Sequence, residues 1–208
     1  MTQQGSIPSF WYRLPPGFHD VDPGDRASLN AIAEVLGSPD AQHELSQLMD
    51  SLEGLAAHNV VHTAIGFHPE EPSGIATSLF SIAVRQVGQP NPRLAVARTA
   101  LAIANSPLWT KVHRRLIDLP STLPCCLVAG IISVPEVERH LFQARVSTVH
   151  PDGIHLLVLD LTSASIEHAE AYTDILEAVA HTFGFTDPDS GPGASTAAGT
   201  SRILEVLR

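Results

Sequence analysis

Apolar residues recur along this chain with two periods, and the changes of period mark out its elements. Between Asp25 and Leu36 they fall at Leu29, Ile32, Ala33 and Leu36, one face of a helix that Gly37 ends. A second helix is predicted from Pro39 to about Ala57. Ser38 is its N-cap, and Leu45, Leu48, Met49, Leu52 and Leu55 are its buried stripe. From Val60 the period drops to two, with Val61, Thr63, Ile65 and Phe67 on one face and His62 and Ala64 on the other. Alternation resumes from Ala76 to Val87 after the polar link His68 to Gly74, so the two runs predict an antiparallel hairpin. Asn91-Pro92 caps a third helix to Ala104, rich in small residues, and Ser106-Pro107 ends it.

Further strands are predicted at Arg115 to Leu119, Leu123 to Val134, Leu141 to Val149 and Ile154 to Leu161. The link His150-Pro151-Asp152-Gly153 is the clearest turn signal, because proline fixes one dihedral and glycine accepts a positive one, so the strands on either side should pair. Leu156 to Leu161 is apolar apart from Asp160 and reads as a central strand. A last helix is predicted from Ser165 to Phe183, with Gly184 as its stop. An opening strand is predicted at Ile7 to Leu14, before Pro15-Pro16-Gly17. Grouped strands with helices inserted between them give an α+β fold: one antiparallel sheet of about six or seven strands packed by helices, in a single domain over residues 1–188. Residues 189–208 read as a flexible tail ending in a short apolar segment, Ile203, Leu204, Val206 and Leu207.

Composition narrows the function classes. The 208 residues are 44% hydrophobic and 16% charged, ample for a core and unlike a disordered chain. The formal net charge of -10 opposes nucleic-acid binding, which needs clustered Lys and Arg. The longest apolar stretch, Leu123 to Val134, is interrupted by Pro124 and falls short of the roughly 20 residues of a membrane span. The polar start lacks the pattern of a secretory signal, so a cytoplasmic protein is expected. Lys111 is the single lysine among the 12 basic residues, a bias that points to a GC-rich, actinobacterial type of genome.

Candidate chemistry is sparse. His58 and His62 have helical metal-ligand spacing, but the change of period at Val60 puts His62 on a strand. His150 and His155 face each other across a turn, two ligands with no third partner evident from the sequence. Asp20, Asp22 and Asp25 fail the EF-hand pattern, whose twelfth position would be Ala31 rather than Glu. Adjacent Cys125 and Cys126 lack a second cysteine pair and read as buried thiols. Glu70-Glu71 reads as a solvated loop. No metal site and no cofactor are therefore expected. Trp11, Tyr12, Phe18 and Trp109 are rigid aromatics outside the core stripes and are the candidate binding residues. His62, Arg145 and His155 are the candidate catalytic residues, polar groups on otherwise apolar strands.

The order of elements resembles that of the PsbP-like or LpqN-like α/β/α sandwich family. The resemblance runs over about residues 6 to 188 and rests on the first strand ending at Pro15-Pro16-Gly17, the antiparallel strands, and the last helix. That helix bears Tyr172 and ends Phe183-Gly184-Phe185-Thr186-Asp187-Pro188. Two consecutive N-terminal helices and the absence of a lipobox cysteine depart from the pattern. The resemblance implies a non-catalytic binding or assembly role. Two functions are expected on these grounds. The first is a non-enzymatic accessory or adaptor protein for a protein partner or small ligand. The alternative is a cofactor-free cyclase or isomerase acting on an apolar small molecule.

Overall fold

The computed structural model describes residues 7–21, 59–70, 74–88, 91–134 and 139–186. Its apolar runs assemble into one sheet of seven strands: β1 (Phe18–Asp20), β2 (Val60–Glu70), β3 (Gly74–Gln86), β4 (Trp109–Leu116), β5 (Cys125–Val134), β6 (Arg139–Val149) and β7 (His155–Ser163). The spatial order is β1-β2-β3-β7-β6-β5-β4, and neighbours run antiparallel throughout. Among the described residues, helix α1 (Pro92–Ala104) and helix α2 (Ala169–His181) join the sheet in an α+β architecture.

The inner strands are covered on both faces, as the near-continuous run in β7 requires. On one face Leu127, Phe142, Ala144, Val146, Leu157, Leu159 and Leu161 meet Tyr172, Leu176, Val179 and Ala180 of α2. On the other, Ala95, Val96 and Ala100 of α1 close over Cys126, Val128, Val149 and Leu156. The small residues of α1 let it lie close to the sheet. Its start matches the sequence signal: the Asn91 side chain accepts hydrogen bonds from the backbone N–H groups of Arg93 at 3.0 Å and Leu94 at 3.3 Å, with Pro92 in the first turn. The β6–β7 turn also forms as read. Gly153 has φ 69° and donates its N–H to the carbonyl of His150 at 3.0 Å.

Two strand expectations are corrected. Ile7 to Leu14 forms no strand, and its one ladder contact is the bridge between Trp11 and Gly184, with reciprocal N–H to carbonyl bonds of 2.8 Å. Pro8, Pro15 and Pro16 offer no N–H for a ladder. Side chains hold the segment instead, Phe10 and Tyr12 each stacking on Phe183 with ring centroids 5.5 Å apart. The strand expected from Arg115 to Leu119 begins earlier, at Trp109, and ends at Leu116. As the outermost strand it has no need of apolar alternation, so Thr110 to Arg114 carried no strand signal. The last helix is also shorter than expected: a 3-10 turn at Ile166–His168 precedes it, and Ile166 is exposed. The helices expected at 25–36 and 39–57, Glu71, and the tail from 187 onward lie outside the described residues.

The approach of β4 to the sheet depends on a missing side chain. Its register on β5 shifts between Trp109 and Lys111, and a Cβ at Gly130 would stand 1.9 Å from the Lys111 carbonyl oxygen. Gly130→Ala is therefore expected to lower the free energy of unfolding by about 1–3 kcal/mol in urea titration. Amide exchange should quicken first along Trp109–Leu116, whereas unchanged protection there would mean that the backbone absorbs the methyl group.

Candidate interaction edge and side-chain clusters

β4 forms one edge of the sheet, with β5 as its neighbour and no strand on its other side among the described residues. An edge strand presents a row of unpaired backbone N–H and C=O groups. Seven of its eight residues are exposed, and Leu116 reaches 81%. The register gives the edge two unlike sides. Val112, Arg114 and Leu116 lie opposite Gly130, Val128 and Cys126, on the α1 side, while Lys111, His113 and Arg115 face the α2 side.

Each side borders a groove. Toward α1, Leu116 joins Val96, Ala97, Leu119, Leu123 and Cys125 around a largely apolar space of about 540 Å³, with Arg93 and Asp118 beside it. Toward α2, Lys111, His113 and Arg115 share a groove of about 530 Å³ with Glu170 and Asp174. Arg115 forms an ion pair with Glu177. Lys111 and Arg114 have no ion-pair partner among the described residues.

The sequence-derived candidates do not form one site. Arg145 lies across from Val128 and Asp160, on the α1 side of the sheet, and is ion-paired with Asp160. Gln143 and Thr162 also donate hydrogen bonds to that carboxylate, at 3.4 and 2.8 Å. His62 lies on the α2 side, edge-on to Tyr12 at 5.4 Å and with Nε2 3.4 Å from Asp20. His155 sits at the β6–β7 turn, where its Nδ1 is 2.6 Å from Asp152. The aromatics divide likewise. Trp109 packs with the α1 cluster and donates its Nε1–H to the Ile103 carbonyl at 2.7 Å, tying the end of α1 to β4. Tyr12 and Phe18 pack against the α2 cluster, and Trp11 holds Gly184 through its backbone.

Three polar clusters have definite chemistry. Asp152 lies 3.0 Å from Nδ1 of His150, as well as beside His155, and accepts N–H bonds from Ile154 and His155 at 2.7 and 3.0 Å. Partial burial disfavours its charge, but the hydrogen bonds from His155 and the two backbone N–H groups, with the neighbouring His150, outweigh that and hold the carboxyl well below its ordinary range. It is the third partner that sequence spacing did not reveal. Nevertheless, no group of His, Cys, Asp and Glu among the described residues has the arrangement to hold a metal ion. In a second cluster, His68 Nε2 lies 2.9 Å from Ser78 Oγ, beside Tyr172. Burial lowers the pKa of His68, and His168 nearby lowers it further; burial also lowers that of His62, against the pull of Asp20. In the third, burial pushes the Cys125 thiol up to about 12, the charges of Cys126 and Glu177 adding to the effect, which keeps it from acting as a nucleophile.

Comparison with known proteins bears on the fold. LpqN, a protein involved in cell envelope biogenesis in Mycobacterium tuberculosis, is similar in structure with a TM-score of 0.50 and 12% identity, over 87% of this chain and 85% of that one. At that identity the likeness is one of fold. A Pseudomonas aeruginosa protein of unknown function, named as a candidate regulator, aligns with a TM-score of 0.40 and 19% identity over 54% of this chain and 79% of that one. No protein-family model matches the sequence, and no curated protein is significantly similar to it. No helix among the described residues is long and apolar enough to cross a membrane.

The lowered histidine pKa values fix a sign. His62 and His68 bind a proton less readily folded than unfolded, so between their folded values and the ordinary value near 6.5 the unfolded chain holds more protons. Stability is full above that window and falls as pH drops through it. The Asp152 contribution persists through the window and is lost only at far lower pH. The urea midpoint should therefore decline between about pH 7.5 and about pH 5.5, and less steeply in a His62→Gln/His68→Gln double variant. Equal declines in the two proteins would show that neither histidine carries the effect.

Proposed function

We propose that this chain is a non-enzymatic accessory or adaptor protein that holds a protein partner along β4. The observation that carries the reading is the exposed β4 edge, whose eight residues span about 26 Å at roughly 3.3 Å per residue and border an apolar groove beside Leu116. An open edge with an apolar flank is a surface that sheet proteins ordinarily blunt or cover. The likeness to LpqN adds no function by itself, since one fold hosts many. A cytoplasmic setting and an origin among actinobacterial LpqN-like or PsbP-like proteins belong to the same proposal. They rest on the free thiols, the fold and the preference for arginine over lysine. The alternative, an isomerase or cyclase using His62, Arg145 and His155, draws no support from three side chains held in three separate networks.

Photoreactive benzoylphenylalanine at Val112 should form a covalent adduct in cells of the native host with one protein identified by mass spectrometry, while the same probe at Ile154, exposed in the β6–β7 turn, should not. That protein, once purified, should bind the wild type and fail to bind Leu116→Asp. The adaptor reading is lost if Val112 gives no adduct, or if both positions capture the same proteins.

A further inference from the structure

We infer that β4 takes as an added strand an extended, acidic segment of its partner, with apolar side chains seated beside Val112 and Leu116. The inference rests on the adaptor reading and names the chemistry of what the edge selects.

Charge makes the choice. Lys111, Arg114 and Arg115 bring three of the chain's 12 Lys and Arg residues into one strand that has no acidic residue, on a protein of formal net charge -10. Arg115 is held by Glu177, which leaves Lys111 and Arg114 to select. A second copy of the chain would place cations against cations across the new pairing, which is unfavourable for directly opposed like charges. The same cations that reject self-pairing favour carboxylates on an incoming strand. Added strands gain affinity from main-chain hydrogen bonds and specificity from alternate side chains. The two sides of β4 therefore ask for different residues. Opposite Val112 and Leu116 an apolar side chain extends the α1 groove, whose walls Ala97, Leu119 and Leu123 are already apolar. Opposite Arg114 and Lys111 a carboxylate fits. Glu170 and Asp174, across the groove from Lys111 and His113, disfavour acid on that side beyond the one carboxylate that Lys111 pairs, so neutral residues suit the positions opposite His113 and Arg115.

The peptide Asp-Val-Thr-Glu-Thr-Val-Asp meets this pattern and reads the same in both directions, so it tests parallel and antiparallel addition together. Labelled with a fluorophore, it should bind the wild-type protein in anisotropy titrations and lose affinity as salt rises. It should also slow amide exchange along Trp109–Leu116. Lys111→Glu/Arg114→Glu, at two exposed positions, should keep its melting temperature, weaken the acidic peptide by about tenfold or more, and favour Lys-Val-Thr-Lys-Thr-Val-Lys instead. Replacing both valines of the acidic peptide by serine should weaken it as well. The inference is overturned if the acidic and basic peptides bind the wild type alike, if the charge reversal changes nothing, or if protection appears elsewhere. Sedimentation of the protein alone as a dimer that Leu116→Arg dissociates would give the edge to a second copy. If the probe at Val112 captures a partner while the acidic peptide fails to bind, the adaptor reading stands and this inference falls.

Discussion

The structure turns on a sheet whose inner strands are apolar on both faces. In β7, Leu157, Leu159 and Leu161 point to one side, while Leu156 and Val158 point to the other. At roughly 25 cal/mol per Å² of apolar surface, neither layer could be left to water. Two covers follow from that: α1 on one side, and α2 with the Phe10, Tyr12 and Leu14 segment on the other. Half-buried polar side chains on the α1 face are tied into a network, as Arg145, Asp160, Gln143 and Thr162 are, which offsets the cost of desolvating them. Deeper in, the Ser147 and Tyr172 hydroxyls are buried without a hydrogen-bond partner among the described residues. Chemistry free to meet a partner is left to the rim.

Local rules made the centre of the sheet legible. Period-two runs from Val60 and Ala76 and the strand-like runs from Leu123, Leu141 and Ile154 located five strands to within a few residues, and Asn91-Pro92 and Pro151-Asp152-Gly153 fixed a helix start and a turn. The ends of the sheet were harder to read, for opposite reasons. Ile7 to Leu14 has strand-like residues, but its aromatics serve to pack on Phe183, and Pro8 within it and Pro15-Pro16 after it keep it out of the ladder. Thr110 to Arg114 lacks strand-like alternation and is nevertheless a strand, because an edge exchanges burial for solvation.

The same asymmetry governs the candidate site. His62, Arg145 and His155 are of residue types that commonly do chemistry, yet the fold sets them apart. Arg145 and His155 pair with Asp160 and Asp152, and His62 packs edge-on to Tyr12 with its Nε2 near Asp20 but without a hydrogen bond among the described residues. Trp109 drew attention as a free aromatic, and its indole instead locks α1 to β4. Of the residues that make β4 distinctive, Lys111 stands out in the sequence only as the single lysine, and Leu116 only as part of a short strand from Arg115. Their meaning lies in which strand ends the sheet, and no local window contains that fact. A run of cations with interleaved aliphatic residues, bounded by Trp109 and Ile117, was the signal available.

The bridge between Trp11 and Gly184 has a topological consequence. It ties the first described segment to the residues just after α2, with Phe10, Tyr12 and Phe183 stacked around the junction and Phe185 tilted against Phe183. The described chain thus closes into a ring, and no sheet pairing depends on where that ring is opened. Joining the two segments covalently and cutting in a surface turn, such as the one at Asp152, would give a circularly permuted molecule with the same strand order. Its β4 edge would lie elsewhere along the sequence and in the same place in space.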